Sequence, residues 1–443
     1  MWPYNQVRNK CAIPIVNKPA VRHTAEALIR LGFEQIVAVV GERKESIYHA
    51  LGDLPQVAFA DQSGSGTAAA ALSGLKAVEG EGPVLVAHGD VLCAEEDLRA
   101  LVNGFAEAQA DAACLTAFPQ GEETGQWMSV LDHNGVVEGV LAHRRGPKSA
   151  RLAGVYVFAQ QAFSYLRRNP GILKTVPVGG MPPYEAEIAQ SVHMMSEEGR
   201  KVQAVEATHF CFDLDKPWHI LRASHGVAKY LFERLVQEQP TVGKGAEIHD
   251  SADIRGRVVL AEGARIGPRV VLEGDVYVGP DSTVTDGAIV RSLWLGRGCR
   301  VFSYCQVGDG VVGDHCVLGH GAEFDGVLFD GVCLYHYCEM AGVLGSKVDV
   351  GAATVCGTLR FDDGAAEIMV KGRKERVHGA NCAFIGDYSR TGVNTIIMPG
   401  VRVGCYSCLG PGAIIYEDVP DRTLLLAKQE LITKPWGPER YGW

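Results

Sequence analysis

The C-terminal half of the chain repeats a pair made of one apolar residue and one glycine, often at intervals that are multiples of six. In a parallel β-helix each coil places an apolar residue in the interior and needs a glycine or a small polar residue at its turns. The pattern therefore predicts a parallel β-helix, with a glycine-rich sandwich of alternating strands as the alternative. The pairs are Ile266-Gly267, Val278-Gly279, Leu295-Gly296, Val312-Gly313, Leu318-Gly319, Leu344-Gly345, Val350-Gly351, Ile385-Gly386, Val403-Gly404 and Leu409-Gly410.

We expect the β-helix to occupy residues 241–420 and to be left-handed. A stack of coils leaves an open end that another segment must cover, and residues 421–443, with Trp436 and Trp443, are the candidate cap. By analogy with left-handed β-helices, which commonly associate along a prism face, we expect a homo-oligomer and specifically a trimer.

The first half alternates predicted helices with predicted strands. Residues 20–31 and 42–51 have apolar side chains at helical spacing and end near a glycine, whereas residues 35–40 are a short apolar run. Such alternation predicts an α/β domain with a parallel sheet covered by helices on both faces. We assign residues 1–225 to this domain and residues 226–240 to a helical linker.

Composition argues against several classes of protein. The formal net charge of −10 argues against nucleic acid or an anionic membrane surface as the main partner. No apolar run approaches the ~20 residues that a membrane-spanning helix needs, and we expect a cytoplasmic protein. The 13 cysteines are scattered and odd in number, which favours reduced, buried thiols. For Cys405 and Cys408, a C-x-x-C pair, we favour packing over a metal or redox site.

Two features of the first half are candidates for a phosphate or metal site. Residues 61–67 form a glycine-rich turn before an alanine-rich helix, where free N–H groups suit a phosphate or a nucleobase carbonyl. A flexible loop with a helix cap is the alternative. Asp90 follows the predicted strand at 84–88, and its carboxylate suits either Mg²⁺ or a helix cap. Asp213 follows a second strand end and is a further candidate.

In order and spacing, these residues resemble the nucleotidyltransferase domain of the sugar-1-phosphate nucleotidyltransferases. That family carries a K-x7-K-P block, a Q-x(n)-G-T motif, a G-D motif and a second metal-binding residue near the end of the domain. The matching residues here are Lys10 and Lys18-Pro19, Gln62 with Gly66-Thr67, Gly89-Asp90, and Asp213.

The resemblance implies a Rossmann-like fold with a mostly parallel sheet, and transfer of a nucleotidyl group from a nucleoside triphosphate to a sugar 1-phosphate. UTP or dTTP is favoured as the donor, and pyrophosphate leaves. The implied roles are Mg²⁺ binding for Asp90 and Asp213, neutralisation of phosphate charge for Lys10, nucleotide binding for Gln62, Gly66 and Thr67, and sugar binding for Gly154 and Tyr156.

The sequence also departs from the family pattern. The family's glycine-rich turn, with an arginine that grips the departing pyrophosphate, would lie immediately before residue 1, so we expect a sheet that lacks its first strand. The sugar-side motifs are altered at residues 127–129 and 142–144. A non-catalytic or regulatory paralogue is therefore the alternative to an active enzyme.

The predicted β-helix most resembles that of the bifunctional N-acetylglucosamine-1-phosphate uridylyltransferases, through residues 348–362, 384–387 and 391–394. In that group a histidine deprotonates the sugar amine for acetyl transfer from acetyl-CoA, and His336 matches its position. Thr358 replaces an asparagine of that group. His336 is interpreted either as the base of an acetyltransferase or as a structural histidine of a coil.

Overall fold

The computed structural model describes residues 1–118, 128–142, 150–172, 184–238, 241–370 and 372–438. An α/β part precedes a long helix, and that helix leads into a stack of parallel strands. The predicted fold class, an α/β domain followed by a parallel β-helix, is confirmed.

Short strands and helices make up the α/β part. The strands are β1 (Pro14–Ile15), β2 (Lys18–Pro19), β3 (Ile36–Val40), β4 (Val57–Asp61), β5 (Val84–Ala87), β6 (Val91–Cys93), β7 (Ala112–Ala117), β8 (Met128–His133), β9 (Val136–Ala142), β10 (Arg151–Phe158), β11 (Val202–Glu206) and β12 (Cys211–Asp213). The helices are α1 (Ala20–Arg30), α2 (Lys44–Leu51), α3 (Thr67–Leu75), α4 (Glu95–Ala108), α5 (Phe163–Arg167), α6 (Ile188–Glu197) and α7 (His219–Glu238). In α1, Ala20, Thr24, Ala27 and Leu28 are buried at helical spacing, so one face packs inward.

The strands of this part pair into separate sheets within the described residues. Strands β5, β10, β7, β11, β9 and β8 form, in that order, a six-stranded sheet, while β3 pairs with β4. The predicted parallel pairing holds for β3 with β4 and for β7 with β11. Strand β10 instead runs antiparallel to both β5 and β7, so the larger sheet is mixed.

Strands β3 and β5 lie against the same helix without pairing to each other. Ile36 of β3 and Leu85 of β5 both pack on a cluster that contains Ala27 and Leu28 of α1. The side chains of β5 are only half-buried, whereas those of β7 are fully buried. Strands β3 and β5 therefore share a helix without forming one sheet within the described residues.

The second half is a stack of parallel coils. Among the residues that the structure describes, its strands form two long sheets, one of ten and one of twelve strands, and most of these strands are only two or three residues long. The repeated apolar residues fill the interior, as shown by Ile266, Val278, Leu295 and Leu318, which are at most 3% exposed. This arrangement is consistent with the predicted left-handed β-helix.

The strands of the second half, continuing in chain order, are β13 (Glu247–Ile248), β14 (Asp253–Leu260), β15 (Arg265–Ile266), β16 (Val271–Val278), β17 (Thr283–Val284), β18 (Ile289–Arg291), β19 (Leu293–Leu295), β20 (Arg300–Val301), β21 (Gln306–Val312), β22 (Val317–Leu318), β23 (Glu323–Leu328), β24 (Cys333–Leu334), β25 (Glu339–Leu344), β26 (Asp349–Val350), β27 (Val355–Cys356), β28 (Ala366–Val370), β29 (Arg373–Val377), β30 (Ala383–Ile385), β31 (Arg390–Thr391), β32 (Ile396–Ile397), β33 (Arg402–Val403), β34 (Cys408–Leu409), β35 (Ile414–Ile415) and β36 (Leu424–Leu425).

Two structural elements cross the boundaries assigned to the domains. Helix α7 begins at His219, within the residues assigned to the α/β domain, and its first turns belong to the packed core, where Ile220 and Ala223 are fully buried. Strand pairing continues beyond residue 420 to β36, which pairs in parallel with β34. The last coil therefore includes residues that the sequence assigned to the cap.

The predicted C-terminal cap does not cover the coils within the described residues. Leu431 and Ile432 are 86% and 85% exposed, and Trp436 is 72% exposed. Trp443 lies outside the described residues. Residues 426–436 are all exposed, so they do not bury a surface of the last coil.

The structure also bears on two expectations from composition. All 13 cysteines are unpaired in the structure, and eight of them are buried. Cys405 is buried and its Sγ donates to the carbonyl oxygen of Pro3 at 3.3 Å. Among the described helices, none is both long enough and apolar enough to cross a membrane.

His23 of α1 is a largely buried base that stays neutral well below its ordinary pKa. Its Nε2 lies 2.8 Å from the carbonyl oxygen of Ile15, and burial lowers the pKa of the ring from 6.5 to about 4. Between these values the unfolded chain binds a proton that the folded chain does not, so stability falls as the pH drops from 6.5 towards 4. A pKa difference of this size corresponds to about 3 kcal/mol of the free energy of unfolding.

We expect urea denaturation at pH 7 and at pH 4 to reveal this effect in His23→Gln, whose amide donates a hydrogen bond without titrating. On acidification the variant should lose about 3 kcal/mol less of its free energy of unfolding than the wild type. His49→Gln, on the exposed side of α2, is the matched control and should follow the wild type. Equal losses in the wild type and His23→Gln would contradict this expectation.

Candidate functional site

Three aspartates meet where β6 pairs with β12. Asp90 immediately precedes β6, and Asp213 ends β12 opposite Val91 in the antiparallel register. The N–H of Leu214 donates to the carbonyl oxygen of Asp90 at 3.0 Å, which fixes the two strand ends side by side. Carboxylate oxygens of Asp90, Asp213 and Asp215, one from each residue, all lie within 4.8 Å of one another. The two aspartates singled out from the sequence are thus brought together, and Asp215 joins them.

Lys10 places its ammonium group in this aspartate cluster. The Nζ atom forms an ion pair with Asp90 and lies 3.3 Å from Oδ1 of Asp215. Lys10 begins a 3₁₀ turn that Asn9 caps, since Asn9 Oδ1 accepts the N–H of Cys11 at 2.9 Å. Burial alone lowers the pKa of Lys10, but the carboxylates of Asp90 and Asp215 outweigh burial and raise it well above its ordinary value. Lys10 therefore remains charged.

The aspartates carry more negative charge than Lys10 neutralises. Burial, together with the carboxylates of Asp215 and Asp90, raises the pKa of Asp213 to about 7. For Asp215, burial is outweighed by the charge of Lys10, and its pKa is lowered. Three clustered carboxylates facing one ammonium group suit a divalent cation that prefers hard oxygen ligands.

The glycine-rich turn follows β4 and leads into α3. The N–H of Gln62 donates to the carbonyl oxygen of Val40 at 2.8 Å, and its side-chain amide donates to the carbonyl oxygen of Gly64 at 3.1 Å. Gly66 has φ +95°, and a Cβ at this position would lie 2.5 Å from backbone atoms of Ala186. The close approach of two backbones explains why glycine stands at residue 66, while residues 62–65 stay exposed.

Thr67 connects this turn to the segment before α6. Its hydroxyl donates to Oε2 of Glu187 at 2.7 Å and accepts the N–H of Ile188 at 2.8 Å. The N–H of Ala186 donates to the carbonyl oxygen of Ser65 at 3.0 Å. The Thr67 hydroxyl therefore holds the turn in place. The groups of the turn that face solvent are the backbone of residues 62–65 and the side chain of Gln62.

The two residues expected to bind the sugar are placed differently. Tyr156 is 2% exposed and stacks on Phe158 with ring centroids 5.9 Å apart, so its predicted sugar contact is corrected to packing in the core. Gly154 has φ +77°, and a Cβ there would lie 2.7 Å from Nδ1 of His88. Gly154 therefore makes room for the ring of His88, which stands two residues before Asp90. As a glycine it has no side chain that could contact a sugar.

Asp215 and Glu187 are site residues that the sequence reasoning did not assign. Asp215 had a usable signal, because it is a second carboxylate only two residues after Asp213, just beyond the end of β12. Glu187 had none, since its contact with Thr67 joins positions 120 residues apart. Both interactions became visible only in the folded chain.

His336 lies on the β-helix, in a separate groove of about 640 Å³. His336 is exposed, and its ring stands edge-on to Tyr337 with centroids 5.5 Å apart. The groove is lined by β-helix residues alone, namely Phe302, Val317, Gly319, His320, Cys333, Leu334, Tyr335, His336 and Tyr337. His336 is therefore not part of the aspartate cluster.

This chain is similar over nearly its whole length to proteins that are named bifunctional. Residues 5–158 match the model of the MobA-like NTP transferase domain. A bifunctional sugar-1-phosphate nucleotidylyltransferase/acetyltransferase from Sulfurisphaera tokodaii is 25% identical over 425 residues, which cover 94% of this chain and 94% of that protein. The bifunctional protein GlmU of Methanocaldococcus jannaschii is 25% identical over 458 residues, covering 97% of this chain and 95% of its own.

Among solved structures, a UDP-glucose pyrophosphorylase complexed with UDP-glucose covers 50% of this chain and 90% of its own, with a TM-score of 0.42 and 18% sequence identity. A similarity this distant supports no conclusion. The relatives in the preceding comparison, in contrast, span nearly the full length of the chain and include both of its halves.

Proposed function

We propose that this protein, in which residues 5–158 match the model of the MobA-like NTP transferase domain, transfers a nucleotidyl group from a nucleoside triphosphate to a sugar 1-phosphate with the help of Mg²⁺. The observation that carries the proposal is the meeting of Asp90, Asp213 and Asp215 around the ammonium group of Lys10. Carboxylates and a lysine at one point suit a reaction in which charged phosphates must be neutralised and aligned.

The residues present fit a magnesium ion. Asp90, Asp213 and Asp215 offer only oxygen ligands, and their carboxylates are close enough together to share one cation. When bound, Mg²⁺ supplies positive charge that stabilises the phosphate oxygens of the triphosphate. The remaining contributions come from the side chains and backbone of this protein.

In the proposed reaction an oxygen of the sugar 1-phosphate attacks the α-phosphorus of the triphosphate. The bond between the α-phosphorus and the oxygen bridging to the β-phosphate breaks, and pyrophosphate leaves with that bonding pair. Lys10, held charged by Asp90 and Asp215, would neutralise phosphate charge. Gln62 and the backbone around Gly66 would hold the nucleobase. Such a displacement depends mainly on positioning and charge, and it requires no general base from the protein.

UTP or dTTP is the proposed donor. This preference depends on the resemblance of the β-helix to that of the bifunctional uridylyltransferases. The exposed Gln62 side chain offers both an amide donor and a carbonyl acceptor, which suits the imide edge of uracil or thymine.

The proposal is tested by incubating the protein and Mg²⁺ with a panel of nucleoside triphosphates and sugar 1-phosphates and measuring pyrophosphate. We expect release with UTP or dTTP and at least one sugar 1-phosphate, and no release without Mg²⁺. If a folded preparation releases no pyrophosphate with any pair, the proposal fails and the non-catalytic paralogue becomes the better interpretation.

A second candidate activity is acetyl transfer in the groove around His336. The groove holds His336 next to His320, Tyr335 and Tyr337, so a histidine base lies in a pocket with room for a substrate. In this reaction the amine of an amino-sugar phosphate attacks the acetyl carbonyl carbon of acetyl-CoA. Its proton passes to His336, and the carbon–sulfur bond breaks to release coenzyme A, which takes up a proton.

We expect His336→Ala to lower acetyl transfer by about 100-fold, because a general base typically contributes a factor of that order or more. Free coenzyme A released from acetyl-CoA in the presence of an amino-sugar phosphate is the measurement. His315→Ala, another histidine at a turn of the β-helix, is the control and should retain activity. Undiminished acetyl transfer in His336→Ala would leave His336 a structural role only.

A further inference from the structure

Residues 1–19, which carry Lys10, have little regular structure of their own. They contain two 3₁₀ turns of three residues each, Tyr4–Gln6 and Lys10–Ala12, and the two-residue strands β1 and β2. Such short elements make few internal hydrogen bonds, so contacts with other parts of the molecule must hold this N-terminal segment in place.

The N-terminal segment lies along a row of aspartates at one edge of the β-helix. Each aspartate of this row caps a coil: Asp314, Asp387 and Asp421 accept the N–H of Arg297, Ser346 and Cys405 at 2.9, 2.9 and 2.7 Å. Each also accepts a side-chain donor from the N-terminal segment. The donors are Asn17 to Asp314 at 2.7 Å, Arg8 to Asp387 and Trp2 to Asp421 at 3.1 Å.

Arg8 and Asp387 make the strongest of these contacts. Asp387 is fully buried, and the side chain of Arg8 is only 15% exposed. Arg8 binds the carboxylate through both terminal nitrogens, one of them 3.3 Å from Oδ2, and its guanidinium lies 5.4 Å from the ring centroid of Phe329. Two buried charges that meet in this way are costly to separate, so the pair holds the two halves of the protein at a defined point.

Arg8, which is held by Asp387, stands two residues before Lys10 in the sequence. Between them, Asn9 is held from the opposite side: its N–H donates to Oγ of Ser46 at 3.0 Å, and its side-chain amide donates to the carbonyl oxygen of Glu42 at 2.9 Å. The backbone that presents Lys10 is thus clamped between the β-helix and the start of α2. Movement on either side would displace the ammonium group from the aspartate cluster.

We propose that Arg8 and Asp387 are positioning residues for Lys10, through which the β-helix supports chemistry in the α/β part. The catalytic consequence depends on the proposed nucleotidyl transfer, whereas the positioning itself is a property of the fold. The β-helix then contributes to the proposed nucleotidyl transfer as well as forming a separate domain.

Arg8→Gln should lower kcat for pyrophosphate release by at least about 10-fold, because a displacement of about 1 Å in a catalytic group costs up to about 100-fold. The KM for the sugar 1-phosphate should change little. In a Lys10→Ala background Arg8→Gln should cause no further loss, since Arg8 acts through Lys10. If Arg8→Gln lowers the residual rate of Lys10→Ala by the same factor as in the wild type, the positioning role is refuted.

Glu233→Gln is the matched control. Glu233 of α7 forms a two-point ion pair with Arg257 of the β-helix, with contacts of 2.7 and 3.0 Å, and so it joins the same two halves away from Lys10. This variant should keep the kcat of the wild type. A fall in kcat equal to that of Arg8→Gln would show that general contact between the halves matters, and would overturn the specific role of Arg8.

Hydrogen exchange tests the positioning without relying on activity. The N–H groups of Ala12 and Ile13 bond to the carbonyl oxygens of Asn9 and Lys10 at 2.9 and 3.2 Å. In the peptide covering residues 9–16, exchange should be at least about 10-fold faster in Arg8→Gln and Asp387→Asn, and unchanged in Glu233→Gln. Unchanged exchange in Arg8→Gln would overturn the inference. A wild type that is inactive with every substrate pair but shows the exchange effect would refute only the proposed function.

Discussion

Replacing Asp90 by asparagine is expected to abolish nucleotidyl transfer, with a fall in kcat of about 1,000-fold or more. The substitution keeps the size of the side chain and removes its charge. Asp90 is 9% exposed, forms the ion pair with Lys10 and faces Asp213 and Asp215. Losing this carboxylate weakens the proposed Mg²⁺ site and releases Lys10 from its position, and both losses act on the charge that develops on the phosphates. Pyrophosphate release under saturating substrates is the measurement.

Asp53→Asn is the control for the Asp90 variant. Asp53 is exposed and forms a two-point ion pair with Arg22, at 2.6 and 2.8 Å, away from the aspartate cluster. Its variant should keep wild-type kcat. Circular dichroism should show that Asp90→Asn is folded. Retained activity in a folded Asp90→Asn protein would remove Asp90 from the metal site and would favour a capping role for this residue.

Replacing Gly66 by alanine is expected to lower kcat by about 100-fold and to reduce the melting temperature. An alanine at φ +95° costs about 1 kcal/mol in backbone strain. The larger effect comes from the new Cβ, which would lie 2.5 Å from the backbone nitrogen and oxygen of Ala186. Because backbone atoms cannot yield as a side chain does, the turn must move away from Ala186, and Gln62 and Thr67 move with it.

The variant Gly80→Ala distinguishes backbone strain from the steric contact with Ala186. Gly80 has φ +91°, almost the same backbone conformation, but a Cβ there would meet no atom within 4 Å. It should therefore lower the melting temperature slightly and leave kcat unchanged. Equal effects of the two substitutions on kcat would show that backbone strain alone, and not the contact with Ala186, explains the loss. Wild-type kcat in Gly66→Ala would exclude the turn from nucleotide binding.

Much of the fold was predictable because its signals are periodic and local. The apolar–glycine repeat predicts the β-helix, since each coil repeats the same requirement for a buried apolar residue and a tight turn. Alternating helical and extended patterns predict the α/β part. Asp90 and Asp213 could be proposed as partners because each follows a strand end, where ligands gather in open sheets. The mixed pairing of β10 was not predictable, because apolar strands do not encode the direction of their neighbours.

The candidate site was predictable only in part, because the packing of distant segments decides which side chains are buried. Tyr156 matched a family motif, yet which face of a strand is buried depends on the helices that cover it, and α3 and α6 bury this residue. The predicted capping role of residues 421–443 does not hold in the described residues, because the coils continue to β36 and residues 426–436 beyond it are exposed. Composition and pattern do not determine where a coil stack stops.

The sequence by itself therefore determined the two architectures, the order in which they occur and the choice of Asp90 and Asp213 as candidates, because these depend on local spacing and on residue chemistry. Lys10 became a candidate through the resemblance to the sugar-1-phosphate nucleotidyltransferases. The tertiary structure alone decided that Asp215 completes the cluster and that Glu187 holds Thr67. It also decided that Arg8 reaches Asp387 across 379 positions of the chain. Contacts between distant segments arise only when packing brings those segments together, and no local pattern records them.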